Sequence, residues 1–411
     1  MRITFFTFFV LLIISCRNNS ATDRNISEDY SNQFFDIDLQ KGFNNKQTIP
    51  LSKIASEVEY IVLETREECM VRPVVRYYFT DSLIFIKNFD HILKFSRNGK
   101  FIERIGTSGR GPGEIDLVRN LSFLPDQKML VVQKNYQREL LFFSFTGKLI
   151  KTLDYEPHIE NFKVLPDGNF LTYESGASGT EDVMFCIMNE NWDTLSTIRN
   201  YAKWTPVPSS IQIMIGYPVF EPFYFSQNKN HLKSMYNDTV YEISSEKIEP
   251  EYFINLGKHK LPDDLRPERL GVGQLQKFRD NGHNYYFAQV FEASDKIFIG
   301  AYNYGESEST KYLIYNKFNK ECTSLTDYEN KSTGFVNDWD GCIDFWPIGQ
   351  INDNQVFMPI TPLQFKELLS EKPVENNEIK YPESKSRLLN LISSTDETDN
   401  PILMVVTLKQ D

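Results

Sequence analysis

Cysteine, histidine and tryptophan are scarce in this 411-residue chain, with five, five and four residues. The histidines (His91, His158, His231, His259 and His283) are scattered, and none stands in the His-Glu-x-x-His spacing that aims two imidazoles at one zinc ion. After the first cysteine come Cys69, Cys186, Cys322 and Cys342, at spacings of 117, 136 and 20, which are not metal-ligand spacings. They are expected to be small buried hydrophobes, although Cys322 and Cys342 are close enough in sequence to pair in an oxidising compartment. No serine sits in a Gly-x-Ser-x-Gly elbow. The sequence therefore nominates no catalytic residue, no metal and no cofactor. It has no basic run with interleaved aromatics, and a net charge of −12 opposes a phosphate backbone, so nucleic acid is not an expected partner.

Aromatics are plentiful. Phenylalanine (32) and tyrosine (21) bring the aromatic share to 14%, and such residues favour pleated, half-buried surfaces. Single hydrophobic cores stop growing beyond roughly 250–300 residues, so a chain of this length needs either two domains or a modular, repeated core.

The N-terminus has its own pattern. Arg2 is followed by an apolar run from Ile3 to Ile14. That is too short for a membrane-spanning helix, which needs about 20 residues, but suits a secretory signal peptide. The run ends in Ile13-Ile14-Ser15-Cys16, which resembles the lipobox of bacterial lipoproteins. The expected division is a signal peptide over 1–15, a lipid-modified Cys16, a polar tether over 16–33, and a folded domain over 34–411. Two or three acyl chains on one terminus anchor stably where a single chain is marginal. The residues after the cysteine, Arg17-Asn18-Asn19-Ser20, lack the acidic character common in surface-displayed lipoproteins of Bacteroidetes, which leaves the periplasmic face open.

Within the domain a four-strand unit recurs. The first copy reads Val74–Phe79, the turn Asp81-Ser82, Leu83–Ile86, His91–Phe95, the turn Asn98-Gly99, and Phe101–Ile105. Asn-Gly between alternating apolar residues is a strong hairpin signal. Comparable copies begin at Val118, Phe162, Pro222 and Tyr285, and a sixth is expected to begin with Cys342–Trp346 and Gln355–Met358. The turns before the second strands fall near Asp81, Asp126, Asp167, Asn228, Asp295 and Asp353, at spacings of 45, 41, 61, 67 and 58. Four short strands every 40–60 residues mark propeller blades. The sixth copy is interrupted by two helical patterns, Pro362–Ser370 and Ser384–Ser394, within an insertion over about 362–396. Leu388, Leu391 and Ile392 share one helix face. Ile402–Leu408 would then be its third strand and Val58–Leu63 its outermost. The fold class is all-β: a six-bladed propeller closed by both termini sharing the last blade, which leaves no open sheet edge.

The order of Ile49-Pro50-Leu51-Ser52, Val58–Thr65, Gly106–Glu114, Asn337-Asp338-Trp339-Asp340-Gly341 and Asp399–Leu403 resembles the six-bladed, NHL-like propeller lipoproteins of Bacteroidetes. The resemblance spans nearly all of 34–409 and implies an outer-membrane lipoprotein encoded near nutrient-uptake systems. Cys342 stands where family members often carry a second glycine.

Candidate ligand-binding residues follow from this layout. Arg76 and Arg119 occupy comparable positions on innermost strands and are expected to face the central channel. Gly106–Glu114 is no phosphate loop, since the Lys-Ser/Thr is missing and a strand follows. Its glycines suit a blade crossing, while Arg110 and Glu114 carry charges that a turn does not require. Asp338, Trp339 and Asp340 are expected at the channel rim, where two carboxylates and an indole could hold a sugar or a cation, and Trp346, on the strand that follows, is a further candidate. The leading expectation is a membrane-tethered, non-enzymatic binding or scaffold propeller engaging a glycan, peptide or partner protein. The alternatives are an enzyme acting on a polysaccharide or small ester in the channel, and a structural subunit of an outer-membrane uptake complex. Fold alone does not choose between them.

Overall fold

Six tight hairpins organise the protein. The computed structural model describes residues 34–72, 76–134, 138–157, 159–173, 181–201, 203, 222–245, 247–262, 265, 275–305, 309–371 and 379–410. Each turn expected before a second strand joins the first and second strands of one blade. Several require left-handed backbone: Gly168 has φ 90°, Gln227 50°, Asn228 60° and Ser294 56°.

Blade one pairs Arg76–Phe79, Leu83–Lys87, Ile92–Ser96 and Phe101–Ile105 in order from the axis outward. Blade two is Val118–Leu124, Met129–Lys134, Glu139–Ser144 and Leu149–Asp154, and blade three is Asn161–Val164, Phe170–Tyr173, Val183–Met188 and Thr194–Arg199. Blade four is Phe223–Ser226, Lys229–Leu232, Thr239–Ile243 and Ile248–Asn255. Blade five is Tyr286–Ala293, Lys296–Asn303, Lys311–Asn316 and Glu321–Leu325. Blade six takes Gly349–Asn352 and Gln355–Ile360 from one part of the chain, Ile402–Leu408 from its end, and Ala55–Val62 from its beginning.

The core is divided among the seams between blades. One apolar cluster joins blades six and one through Leu63, Phe79, Phe357 and Leu403, and another joins blades one and two through Phe85, Ile92, Leu130 and Phe143. Equivalent clusters fill the seams two–three, three–four, four–five and five–six, so the ring is continuous. At its closure, the Asn98-Gly99 hairpin of blade one rests on the outer strand of blade six. Gly99 has φ 85°, and a Cβ there would lie 1.9 Å from the Val62 carbonyl oxygen. Its own carbonyl accepts from Glu64 N at 2.8 Å.

Two features depart from the sequence-based expectation. Cys342–Trp346 is not the first strand of blade six, because that role belongs to Gly349–Asn352. The apolar run is instead a loop folded into the five–six seam, where Phe345 is fully buried and bridges Phe335. In addition, Phe35–Asp38 adds to the outer strand of blade four, and Lys46–Gln47 to that of blade five, both in parallel. Asp38 caps the helix Leu39–Asn44 between them by accepting from Lys41 N at 3.0 Å. The insertion before the last strand forms the helices Pro362–Glu371 and Pro382–Ser393. Phe365, Leu388 and Ile392 bury against the five–six seam.

Candidate functional site

The two sides of the ring differ. The side opposite the start of the innermost strands carries tight turns, the longest being 165–169 and 189–193, and the short helix Leu51–Ile54 that leads into the outer strand of blade six. Several bond to one another across blades. Gln227 N donates to Asp353 Oδ1 at 2.8 Å, Gln227 Nε2 to the Ser294 carbonyl at 3.1 Å, and Gln127 Nε2 to the Pro166 carbonyl at 3.1 Å. The other side receives the described parts of the long connections, among them 106–117, 256–262, 275–285, 326–348 and the helices Pro362–Glu371 and Pro382–Ser393. Long loops on a rigid scaffold are where recognition residues concentrate.

The channel walls have an uneven charge. Across the six innermost strands the basic residues are Arg76, Arg119 and Lys163, and the one acid is Glu292. The strand register sets Arg76 opposite Lys87, both half-buried and facing blade two. Lys87 Nζ donates to the Arg119 carbonyl at 2.7 Å, which ties the second strand of blade one to the innermost strand of blade two. Burial, helped by the Arg76 charge, pushes the Lys87 pKa down to about 8. Arg76 is likewise lowered by burial. Tyr78, on the same wall, donates its hydroxyl to the Leu121 carbonyl at 3.2 Å. Above this wall Phe89 is 56% exposed, with the Arg72 guanidinium 5.7 Å from its ring centre.

The residues nominated from sequence scatter. Lys87 stands opposite Arg76 and donates to the backbone carbonyl of Arg119. Arg110 is exposed on an open groove of about 360 Å³ with Arg138, Glu139 and Asp154, at the outer half of blade two, where the charges balance. Glu114 turns inward. Its Oε2 accepts from Gly111 N at 2.7 Å and fills the space a Cβ on Gly109 would need, at 2.0 Å. The turn therefore does use that charge, contrary to the sequence-based reading.

Asp338 and Asp340 also serve the loop. Asp338 accepts from Ser52 N at 2.8 Å and from Ser52 Oγ at 2.5 Å. Asp340 is 0% exposed and accepts from the Tyr60 hydroxyl and Asn337 Nδ2, each at 2.8 Å. Burial raises its pKa. Neither carboxylate rims the channel, because the loop that bears them is folded into the seam. Trp346 packs on Tyr312 and edge-on to Phe298 in that seam, with ring centres 4.7 and 6.0 Å apart. Cys16 lies outside the described residues. Lys87 was missed, although counting back from Asp81-Ser82 places it opposite Arg76. Lys163 was also missed, and its signal is a lone charge between the apolar residues Phe162 and Val164.

The family "Domain of unknown function (DUF4934)" matches residues 34–407, from the strand that joins blade four to the last strand of blade six. The chain belongs to this family. No curated protein matches the sequence. Among solved structures, the DUF4934 chain is similar to one described as "Putative exported protein" from Bacteroides fragilis. The two share 17% identity over 92% of this chain and 99% of the other, with a TM-score of 0.69. It is also similar to a member of the duf4221 family from Bacteroides vulgatus, at 10% identity over 90% and 99% of the two chains and a TM-score of 0.49.

In this DUF4934 propeller a second polar cluster lies in the four–five seam. His231, Glu251 and Glu292 bring metal-ligand atoms within 4.8 Å of one another. Glu292, however, already has a cation: Lys317 Nζ donates to its Oε2. Its Oε1 accepts from the hydroxyls of Tyr224 and Tyr252 at 2.8 and 2.9 Å, and His231 Nδ1 is bonded to Glu251 at 2.8 Å. An added ion would have to displace the lysine ammonium, so the cluster reads as a hydrogen-bonded lock between blades. Cys69, Cys322 and Cys342 are free thiols. Cys69 and Cys186 are buried, and burial pushes Cys322 and Cys342 up to about 12.

Proposed function

We propose that this chain is a binding propeller of the cell envelope, tethered through Cys16, whose loop-bearing side presents the channel mouth to a ligand. The observation that carries this reading is the asymmetry of the ring. Long connections and a cationic, aromatic channel wall occupy one side, and short interlocked turns close the other. The groups on offer at the wall are guanidinium, ammonium, amide and aromatic faces, which suit recognition. Export is supported by the Arg2 to Cys16 pattern and by the description of the Bacteroides fragilis relative.

The test is capture on arrays of envelope glycans and peptides, with a polyethylene glycol chain attached at one introduced cysteine. Attachment at Ile348→Cys, which is 51% exposed beside the start of blade six, should block capture. Attachment at Asp126→Cys, in an exposed turn on the other side, should leave it intact. Equal blocking by both, or capture by neither the blocked nor the unblocked protein, would count against the reading. Tethering is checked separately: Cys16→Ala should abolish metabolic labelling with palmitate.

A further inference from the structure

Among the described residues, Lys163 on the innermost strand of blade three and Lys87 on the second strand of blade one have no carboxylate partner. Lys163 stands opposite Leu171 on the face of blade three that meets blade four. Its ammonium lies 5.7 Å from the centre of the Phe225 ring, and among the described residues no acceptor is within hydrogen-bond distance of it. Phe225 is 44% exposed, although its strand is innermost, so the ring presents an open apolar face beside the ammonium. Lys87 donates only to a backbone carbonyl and faces Arg76 across the hairpin. Burial pushes both lysines down to about 8.

An ammonium removed from water without a counter-charge is unfavourable unless something replaces its solvation. The surrounding charge does not supply it, because Glu292 is the one acid on the innermost strands and Lys317 already neutralises it. The lining is thus positive within a chain of net charge −12. A cleft of one sign with apolar walls concentrates ligands of the opposite sign.

We infer that the channel is a site for an oxyanion-bearing ligand, its carboxylate, sulfate or phosphate group held by Lys163 with the ligand's apolar face on Phe225, and a second oxyanion position provided by Lys87. This rests on the channel being the binding site, with Lys87 at its loop-bearing end and Lys163 and Phe225 toward the end that carries the tight turns. The oxyanion can belong to a small free acid or to an acidic saccharide, and both take the same charge-assisted hydrogen bonds.

The experiment is calorimetric titration of the full chain with citrate, sulfate and trigalacturonate, with maltotriose as the neutral control. At least one oxyanion should bind, with affinity falling as salt rises, while maltotriose should not. Lys163→Met and Lys87→Met should each weaken binding tenfold or more without lowering the melting temperature. Tighter binding of citrate would point to a free acid, and of trigalacturonate to an acidic saccharide. As a second readout on the unmodified sequence, a saturating oxyanion should protect Lys163 from acylation by an N-hydroxysuccinimide ester, read by mass spectrometry. Absence of binding by all three oxyanions would overturn the ligand class while leaving the blocking test of the channel side to stand or fall alone. Oxyanion binding unchanged in both lysine variants, with no protection of Lys163, would place the anion elsewhere and overturn the channel assignment too.

Discussion

Val58 and Val406 stand directly opposite one another in blade six, joining a strand from the beginning of the domain to the last strand of the chain. Six apolar side chains of Ile402–Leu408 are at most 3% exposed. Burying each stabilises by roughly 1.5–3 kcal/mol, so the strand contributes on the order of 10 kcal/mol before entropy. Total stabilities are typically about 5–15 kcal/mol. Deleting 401–411 should therefore abolish cooperative thermal unfolding and expose the edges of Ala55–Val62 and Gln355–Ile360. A soluble monomer with an unchanged melting temperature would refute closure by shared termini.

Asp340 offers a second test, because its carboxylate holds a loop. Asp340→Ala strips acceptors from the buried Tyr60 hydroxyl and Asn337 amide, and unsatisfied buried polar groups cost about 1–3 kcal/mol each. The melting temperature should fall by several degrees. Asp340→Asn keeps an acceptor and removes a charge that burial already disfavours, so it should cost less. An Asp340→Ala protein as stable as wild type but defective in ligand capture would restore this residue to a binding role.

Glu114 yields a third prediction. Its carboxylate occupies the hollow left by Gly109 and Gly111. Glu114→Ala should loosen 106–117 at a cost of about 1 kcal/mol, seen as faster amide exchange at Gly111. Gly109→Ala, which drives a methyl into the same carboxylate, should have the larger effect. Equal exchange rates in wild type and both variants would show that the loop is held otherwise.

The architecture was legible because hairpin chemistry is local. Asp126, Asp167, Asn228, Asp295 and Asp353 all fall in or beside first-hairpin turns, since residues of this kind tolerate tight reversals. Shared closure followed from a strand too apolar to stand alone. The first strand of blade six was misread because Cys342–Trp346 is as apolar as a strand, and composition does not separate a buried loop from a buried strand. Asp338 and Asp340 were assigned to the rim, and Trp346 nominated beside them, for the same reason, since their placement depended on that strand. Phe35–Asp38 and Lys46–Gln47 went unseen because parallel additions to distant blades leave no turn between the partners.

The lock between blades four and five gives a prediction with a definite pH sign. Burial alone would raise the pKa of Glu292, but the charges of Lys317 and His231 and the donated hydrogen bonds outweigh it, leaving the pKa below the ordinary value of 4.5. A carboxylate more acidic when folded than unfolded stabilises the fold above the unfolded value, and loses that contribution as pH falls through the folded one. Wild type should therefore lose stability below about pH 4.5 more steeply than Glu292→Gln, in which this proton uptake is absent. Around the carboxylate stand Lys317, His231, Glu251, Tyr224 and Tyr252, which both proteins share. At neutral pH, Lys317→Met strands a buried negative charge and should cost about 3–5 kcal/mol. Pairing it with Glu292→Gln removes the uncompensated charge, so the double variant should be more stable than Lys317→Met alone. Urea unfolding of the four proteins at pH 7 and at pH 4 checks both statements. Additive single losses, or parallel pH profiles for wild type and Glu292→Gln, would mean that Lys317 and the Glu292 carboxylate are not coupled.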